Sequence, residues 1–203
     1  MDVPEVSAGQ RVLGVAIALP EPWASLVRLV RTSVGDPCGR SVPPHITLVP
    51  PTAVASGRID EVVAHLSEVG RGTGPFVVRL TGTGSFRPVN PVVYLCVVRG
   101  GHECDVLQER VRTGVLQGPL RYPFHPHVTL AHEVDDHALD EAASAARDVD
   151  ATFVVEKLHL YGMAPDGSWE VLATPALAGR QDPVPVGGDG LPAARGAGVV
   201  SWT

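Results

Sequence analysis

Two histidines and two threonines stand in the same short phrase at two places in this chain. Pro44-His45-Ile46-Thr47-Leu48 is echoed by Pro126-His127-Val128-Thr129-Leu130, with the histidines 82 residues apart, from 45 to 127. The alternation of polar and aliphatic residues has the period of a β-strand. Each phrase therefore puts His and Thr on one face and its aliphatic pair on the other. Residues i and i+2 of a strand lie about 6.5 Å apart, close enough for an imidazole and a hydroxyl to touch one small anion. An unperturbed imidazole titrates near pH 6.5, so one of two can be neutral and accept a proton while the other is charged and donates one. Two hydroxyls can hydrogen-bond the non-bridging oxygens of a phosphate, where negative charge gathers in the transition state. The chemistry open to such a set is general acid–base attack on a phosphodiester, with neither histidine acting as a nucleophile.

Chance does not account for the repeat. With 8 His and 11 Thr in 203 residues, roughly 0.4 copies of His-x-Thr arise at random. Requiring an aliphatic residue between them, Leu after and Pro before, twice over, leaves little room for coincidence. Two core strands with incidental polar residues would have to place His and Thr on one face twice. A zinc site needs three or four ligands. The phrases supply two histidines, and Thr is a poor ligand, so no metal and no cofactor is expected.

At 203 residues the chain can bury a core of its own. Hydrophobic content is 44% and charged content 19%, an ordinary globular balance. A net charge of −6 argues against a broad grip on long nucleic acid but allows a nucleotide or an RNA end held in a local pocket. Cys38, Cys96 and Cys104 form no CxxC pair and leave one odd, which reads as free thiols in a reducing cytoplasm. The first residues carry no basic, apolar signal pattern, and no apolar run approaches 18 residues, so no membrane span is expected. A monomer is expected.

The elements that must position the phrases follow from patterning. Arg11–Leu19 reads as a buried strand, Glu21–Val34 as a helix with Pro22 in its first turn, and Gly35–Pro44 as a loop into the first phrase. Arg58–Val69 is an amphipathic helix. Phe76–Leu80 and Val92–Val98 read as strands with turns at Gly82-Thr83-Gly84 and Asn90-Pro91. Cys104–Leu116 and Asp136–Arg147 read as helices, and Phe153–Tyr161 as one alternating strand. Trp169–Ala173 pairs with that strand across a hairpin at Ala164-Pro165-Asp166-Gly167. Residues 179–203 read as a disordered Gly/Pro-rich tail with Trp202 exposed. Each half holds strand, helix and motif strand. The expectation is an α+β fold: two pseudosymmetric lobes of antiparallel sheet with outer helices and a central cleft, in one domain over residues 1–178.

The paired His-(Ile/Val)-Thr-Leu strands resemble the 2H phosphoesterase superfamily, in particular its bacterial RNA 2′,3′-cyclic phosphodiesterase, or 2′-5′ RNA ligase-like, branch. Gly82-Thr83-Gly84-Ser85-Phe86 resembles that family's turn before a central hairpin. Phe124-His125-Pro126-His127 resembles the aromatic lead into its second motif, and Tyr161 stands where its late strand precedes a variable loop. The resemblance covers roughly residues 11–176. It implies a bilobal fold and metal-independent opening of a 2′,3′-cyclic phosphate or related diester, with reversible RNA ligation as a further activity of the family. It also implies that His45, Thr47, His127 and Thr129 carry the reaction. One departure is that many relatives follow the second motif with Arg, where this chain has His132.

Around these four, Tyr122 and Phe124 could stack on a base, and Arg87, with Arg40 and Arg121, could reach a phosphate. His125 is assigned to the rim. Strict alternation gives His132 the parity of Leu130 and turns it away from His127. His65, His102, His137 and His159 receive no role. The rival to an enzyme is a module that binds a nucleotide or RNA in the same cleft without turnover; a metal-dependent hydrolase is third.

Overall fold

The computed structural model describes residues 3–180. Eight strands form one antiparallel sheet in the order β6-β3-β4-β5-β2-β1-β7-β8. The strands are β1 (Gln10–Ala18), β2 (His45–Ala55), β3 (Phe76–Ser85), β4 (Val92–Arg99), β5 (His127–His132), β6 (Asp150–Val155), β7 (His159–Met163) and β8 (Trp169–Ala173). Outward from the middle, β2-β1-β7-β8 mirrors β5-β4-β3-β6. The motif strands β2 and β5 lie at the centre and meet through one pair, Ile46 opposite Val128. The expected α+β architecture with an internal echo is therefore present as two halves of a continuous sheet.

The helices are α1 (Trp23–Ser33), α2 (Ile59–Arg71), α3 (Gly101–Val111) and α4 (Asp136–Ala145). Helix α4 starts where Asp135 accepts the Ala138 N–H at 2.8 Å, an N-cap that satisfies one orphan donor of the first turn. Two of the helices cross to the other half: α1 packs on β5 and α3 on β2, whereas α4 stays on β4 and β5 of its own half. The halves are thus held together by helices as well as by the one strand pair. The core lies between sheet and helices, where Ile46, Leu48, Val128 and Leu130 are all at most 1% exposed.

Two expectations need correction. Gly82-Thr83-Gly84 is no turn. It continues β3, with a register slip between Leu80 and Thr83, and the chain reverses at residues 86–91 instead. Gly82 has φ +71°, a conformation glycine adopts without strain, so a bulge signal resembles a turn signal here. The run Phe153–Tyr161 is not one strand either. It breaks after Val155, and β6 pairs with β3 while β7 pairs with β1. Six strand steps separate β6 from β7, about 29 Å in a flat sheet, whereas the link of residues 156–158 reaches about 14 Å. The sheet must therefore curl. Leu158, fully buried, donates its N–H to the Pro175 carbonyl at 2.9 Å where the edges approach. Alternation is kept across the break, so sequence alone does not reveal it.

The expected tail begins at Gly179, whose N–H bonds the Thr73 carbonyl at 3.0 Å. Residues 181–203, including Trp202, lie outside the described residues. Among the described residues no helix is long and apolar enough to cross a membrane. Leu130 supports the motif strand from beneath, so Leu130→Ala is expected to cost about 2–5 kcal/mol in urea unfolding. A loss under about 1 kcal/mol would show that the strand's register does not rest on this core.

Candidate functional site

The register of the central strands arranges the four motif side chains. With Ile46 opposite Val128 in antiparallel sense, His45 falls opposite Thr129 and Thr47 opposite His127. The histidines take one diagonal of a four-cornered patch and the threonines the other. In a regular ladder such diagonal positions lie about 7–8 Å apart. All four side chains line one cavity of about 720 Å³ on the sheet face away from the aliphatic core.

Just beyond each threonine the ladder slips. Ala16 pairs with Thr47 but Val15 with Val49; Tyr94 pairs with Thr129 but Val93 with Ala131. Leu48 and Leu130 are the extra residues of two equivalent β-bulges. Two successive residues are buried in each strand, Leu48 with Val49 and Leu130 with Ala131. The next residue, Pro50 or His132, then returns to the cavity side. The alternation that aims His132 away from His127 is broken by this bulge, and both imidazoles line the same cavity.

Each catalytic candidate is fixed by its own backbone. His45 Nδ1 is 2.6 Å from the Pro43 carbonyl oxygen and His127 Nδ1 is 2.7 Å from that of His125. A carbonyl only accepts, so Nδ1 carries the proton in both rings and Nε2 is the working nitrogen. In the neutral ring, His45 Nε2 accepts from the Thr47 hydroxyl at 2.9 Å. Burial pushes His45 down to about 4, the Pro43 hydrogen bond opposing and the charge of Arg31 assisting. His127 is also lowered, again chiefly by burial, with the His125 carbonyl opposing.

Sequence reading misses Arg31. The residue is 3% exposed, and its guanidinium grips the Thr129 carbonyl from Nε at 3.0 Å and Nη2 at 2.8 Å, with Nη1 on the Val42 carbonyl at 3.1 Å. A buried cation thus stands behind the motif patch and lines its cavity. The readable anomaly is a charged residue on the stripe Ala24, Val27, Arg31, where an amphipathic helix carries apolar side chains. Asp36, also buried, is missed with no local signal. Its carboxylate accepts from the Cys38 N–H, the His132 N–H and the His132 ring. Asp36, Cys38 and His132 bring ligand-type atoms within 4.8 Å of one another, a grouping that the metal-free expectation does not foresee. The carboxylate there is already engaged by three N–H donors.

An aromatic wall backs His127. Phe86 meets its ring edge-on at 5.0 Å, Tyr94 lies 5.2 Å away, and His125 stacks at 6.2 Å. Gly84 makes room for this wall, since a Cβ there would sit 2.6 Å from the Tyr94 ring. His125 lines the cavity rim as expected, and Tyr122 and Arg121 line its mouth. Three expected contacts are elsewhere. Arg87 does not line the cavity; it is paired with Asp136 at 3.2 Å and Asp140 at 2.6 Å on α4, whose carboxylates capture it. Phe124 packs against the core and borders a separate pocket beside His102 instead of the motif cavity. Arg40 does not line the cavity either. His65, given no role, donates from Nε2 to the Val111 carbonyl at 3.1 Å and so ties α2 to α3.

Comparison with known proteins shows the family. The sequence pattern of the 2′-5′ RNA ligase superfamily matches residues 19–167. A Bacillus licheniformis protein provisionally named a phosphoesterase is 35% identical over 141 residues, 68% of this chain and 83% of that protein. A similarly named Bacillus pumilus protein is 34% identical over 68% of this chain and 82% of its own. Among solved structures, the TT0787 protein of Thermus thermophilus superposes with a TM-score of 0.57 at 27% identity, over 83% of this chain and 98% of its own. The Escherichia coli LigT structure complexed with 3′-AMP shares the fold, with a TM-score of 0.60 at 20% identity and the same coverage.

Proton NMR of the ring Cε1–H signals tests the electrostatics. His45 is expected to titrate near 4 and His127 below 6.5. Midpoints at or above 6.5 for both rings would contradict the buried, backbone-locked arrangement.

Proposed function

The chain belongs to the 2′-5′ RNA ligase superfamily, and on that premise we propose that it is a metal-independent phosphodiesterase that opens a 2′,3′-cyclic phosphate, or cleaves a 2′-5′-type diester, of a nucleotide or RNA end. The observation that carries this reading is the pair of histidines on one shared cavity, each with Nδ1 committed to a backbone carbonyl, and with His45 Nε2 accepting from the motif hydroxyl of Thr47.

In this mechanism His45, kept neutral by its burial, takes a proton from the attacking water at Nε2. The water oxygen bonds to phosphorus, and the bond from phosphorus to the departing sugar oxygen breaks. His127, protonated at Nε2, delivers its proton to that oxygen, leaving a phosphomonoester and a free hydroxyl. Thr47 and Thr129 donate to the non-bridging oxygens, and the buried charge of Arg31 stabilises the anion from behind. Histidine general acid–base catalysis of this kind contributes about 10²–10⁴-fold per group. Ligation would be the same step with the hydroxyl of a second RNA end attacking phosphorus in place of water.

A nucleotide-sized ligand is supported by a cavity of about 720 Å³, within the usual range for small-molecule sites. Structures of Escherichia coli LigT with 3′-AMP, NADP+ and ATP point the same way. Tyr122 at the mouth is the candidate for base stacking. The net charge of −6 disfavours an extended nucleic-acid surface. Free Cys38, Cys96 and Cys104 support a cytoplasmic setting, and the whole unit through residue 178 is taken as one monomeric domain. One observation favours the second reading, binding without turnover: burial lowers both imidazoles, so neither is readily charged at neutral pH before a ligand binds. An anionic phosphate would raise both and restore the acid.

Turnover of nucleoside 2′,3′-cyclic monophosphates in EDTA decides between the two. The enzyme reading expects product from the wild-type protein and a fall of about 10²–10⁴-fold in kcat for His45→Ala or His127→Ala. Undiminished turnover in the double variant would overturn the mechanism. Tight calorimetric binding with no product would establish the binding module.

A further inference from the structure

Beside the motif patch, the loop of residues 35–44 and the end of β5 bring together three side chains that the proposed reaction does not use. Asp36, Cys38 and His132 each offer one atom of metal-ligand type, and these atoms lie within 4.8 Å of one another. His132 reaches them because the bulge at Leu130 turns it to the cavity side, and Cys38 lines the same cavity. The Asp36 side chain is fully enclosed, and the Cys38 thiol is free and half-buried.

The distances suit a first-row transition ion. His132 Nδ1 is 3.0 Å from Asp36 Oδ2. Around tetrahedral zinc, with bonds of about 2.0–2.2 Å to N and O, two such ligands stand about 3.3 Å apart. Ring and carboxylate therefore already hold nearly the separation the ion needs. The sulfur, with a bond of about 2.3 Å, must stand about 3.6 Å from each, and a short swing of the Cys38 side chain closes that triangle.

Two of the three hydrogen bonds to Asp36 come from backbone N–H groups, of Cys38 at 2.8 Å and of His132 at 3.2 Å. Both can stay when a metal binds, and they aim the carboxylate as outer-shell donors do. Only the ring Nδ1–H gives way. In that exchange the proton of the neutral ring moves to Nε2, the thiol proton leaves to solvent, and the metal bonds Oδ2, Nδ1 and Sγ. Glu133 Oε1 lies 3.8 Å from Nε2, a carboxylate on the outer side of a metal-bound imidazole. Carboxylate and thiolate together neutralise a divalent ion. Arg31, the nearby cation that also acts on Asp36, is occupied by the carbonyls of Thr129 and Val42.

We propose that Asp36, Cys38 and His132 form a site for one zinc-class transition ion, with its fourth position toward the cavity. A thiolate, an imidazole and a carboxylate favour zinc over magnesium or calcium, which take oxygen ligands. The ion bolts the loop that carries Pro43, whose carbonyl orients His45, to the end of β5. The site is separate from His45 and His127 and does not depend on the phosphodiesterase reading.

Cobalt(II) is the probe, because a cobalt–thiolate bond gives a near-ultraviolet charge-transfer band. Added to the reduced full-length protein after removal of metal with EDTA and dialysis, it should develop that band to saturation at one equivalent, and zinc should abolish it. Cys38→Ser should remove the band and weaken zinc, measured by calorimetry, at least about tenfold, the lower end of what losing even an outer-shell partner costs. His132→Ala should weaken zinc to at least the same degree, and Cys96→Ser should leave band and affinity unchanged. Absence of the band in the wild-type protein, or zinc affinity unchanged in Cys38→Ser, would overturn the site. Zinc that survives Cys38→Ser but is lost in His45→Ala or His127→Ala would place the ion on the motif histidines and overturn it equally. Failure of the phosphodiesterase reading would appear differently, as an intact cobalt spectrum with no turnover of any diester.

Discussion

Ile46 and Val128 lie opposite each other where the two halves of the sheet meet, and both are buried. That pair, flanked by the equally buried Leu48 and Leu130, sets the register of both motif strands. A slip of one residue would turn every side chain to the other face. Four aliphatic side chains would reach water, at a cost of about 1.5–3 kcal/mol each, while two histidines and two threonines would enter the core without partners. The polar corners of the cleft are thus fixed by what lies beneath them. The hydrophobic core does more than stabilise the fold: it aims the site.

The same core explains the histidines' chemistry. Because each ring stands on a packed aliphatic floor, water is partly excluded and the charged form is disfavoured. The nearby carbonyls of Pro43 and His125 fix which nitrogen keeps its proton. Arg31, sealed under the patch, adds positive potential that discourages a second positive charge on either ring while welcoming an anion. An empty cleft that resists protonation and a filled one that favours it are two consequences of one arrangement. Ligand binding and proton placement are coupled through it.

Much of this is legible in the sequence, since the repeated phrase encodes face, period and partner together. Fold class, internal echo and the four motif residues follow from local patterning. What escapes is non-local or breaks the period. The bulges at Leu48 and Leu130 follow from pairing with β1 and β4, so parity misplaces His132. The break between β6 and β7 conserves alternation and needs the curled sheet to be seen. Phe124 adjoins the second motif in sequence and Arg87 lies in the turn that leads to β4, yet the core takes the one and α4 carboxylates hold the other. Asp36 acts across 96 residues on His132, and no spacing rule links them. Arg31 alone leaves a trace, as a charge on an apolar helical stripe.

The central claim is that one buried imidazole must be neutral and the other protonated at the moment of reaction. The pH dependence of kcat/KM for a cyclic phosphate reads this most directly, because it reports the free protein's essential groups. His45 must have lost its proton, which happens above about 4, and His127 must retain its own, which it does only below a midpoint itself lower than 6.5. The account predicts a bell with its maximum in that mildly acidic window and a decline through neutrality. A rate that climbs steadily through alkaline pH, with no descending limb, would contradict it.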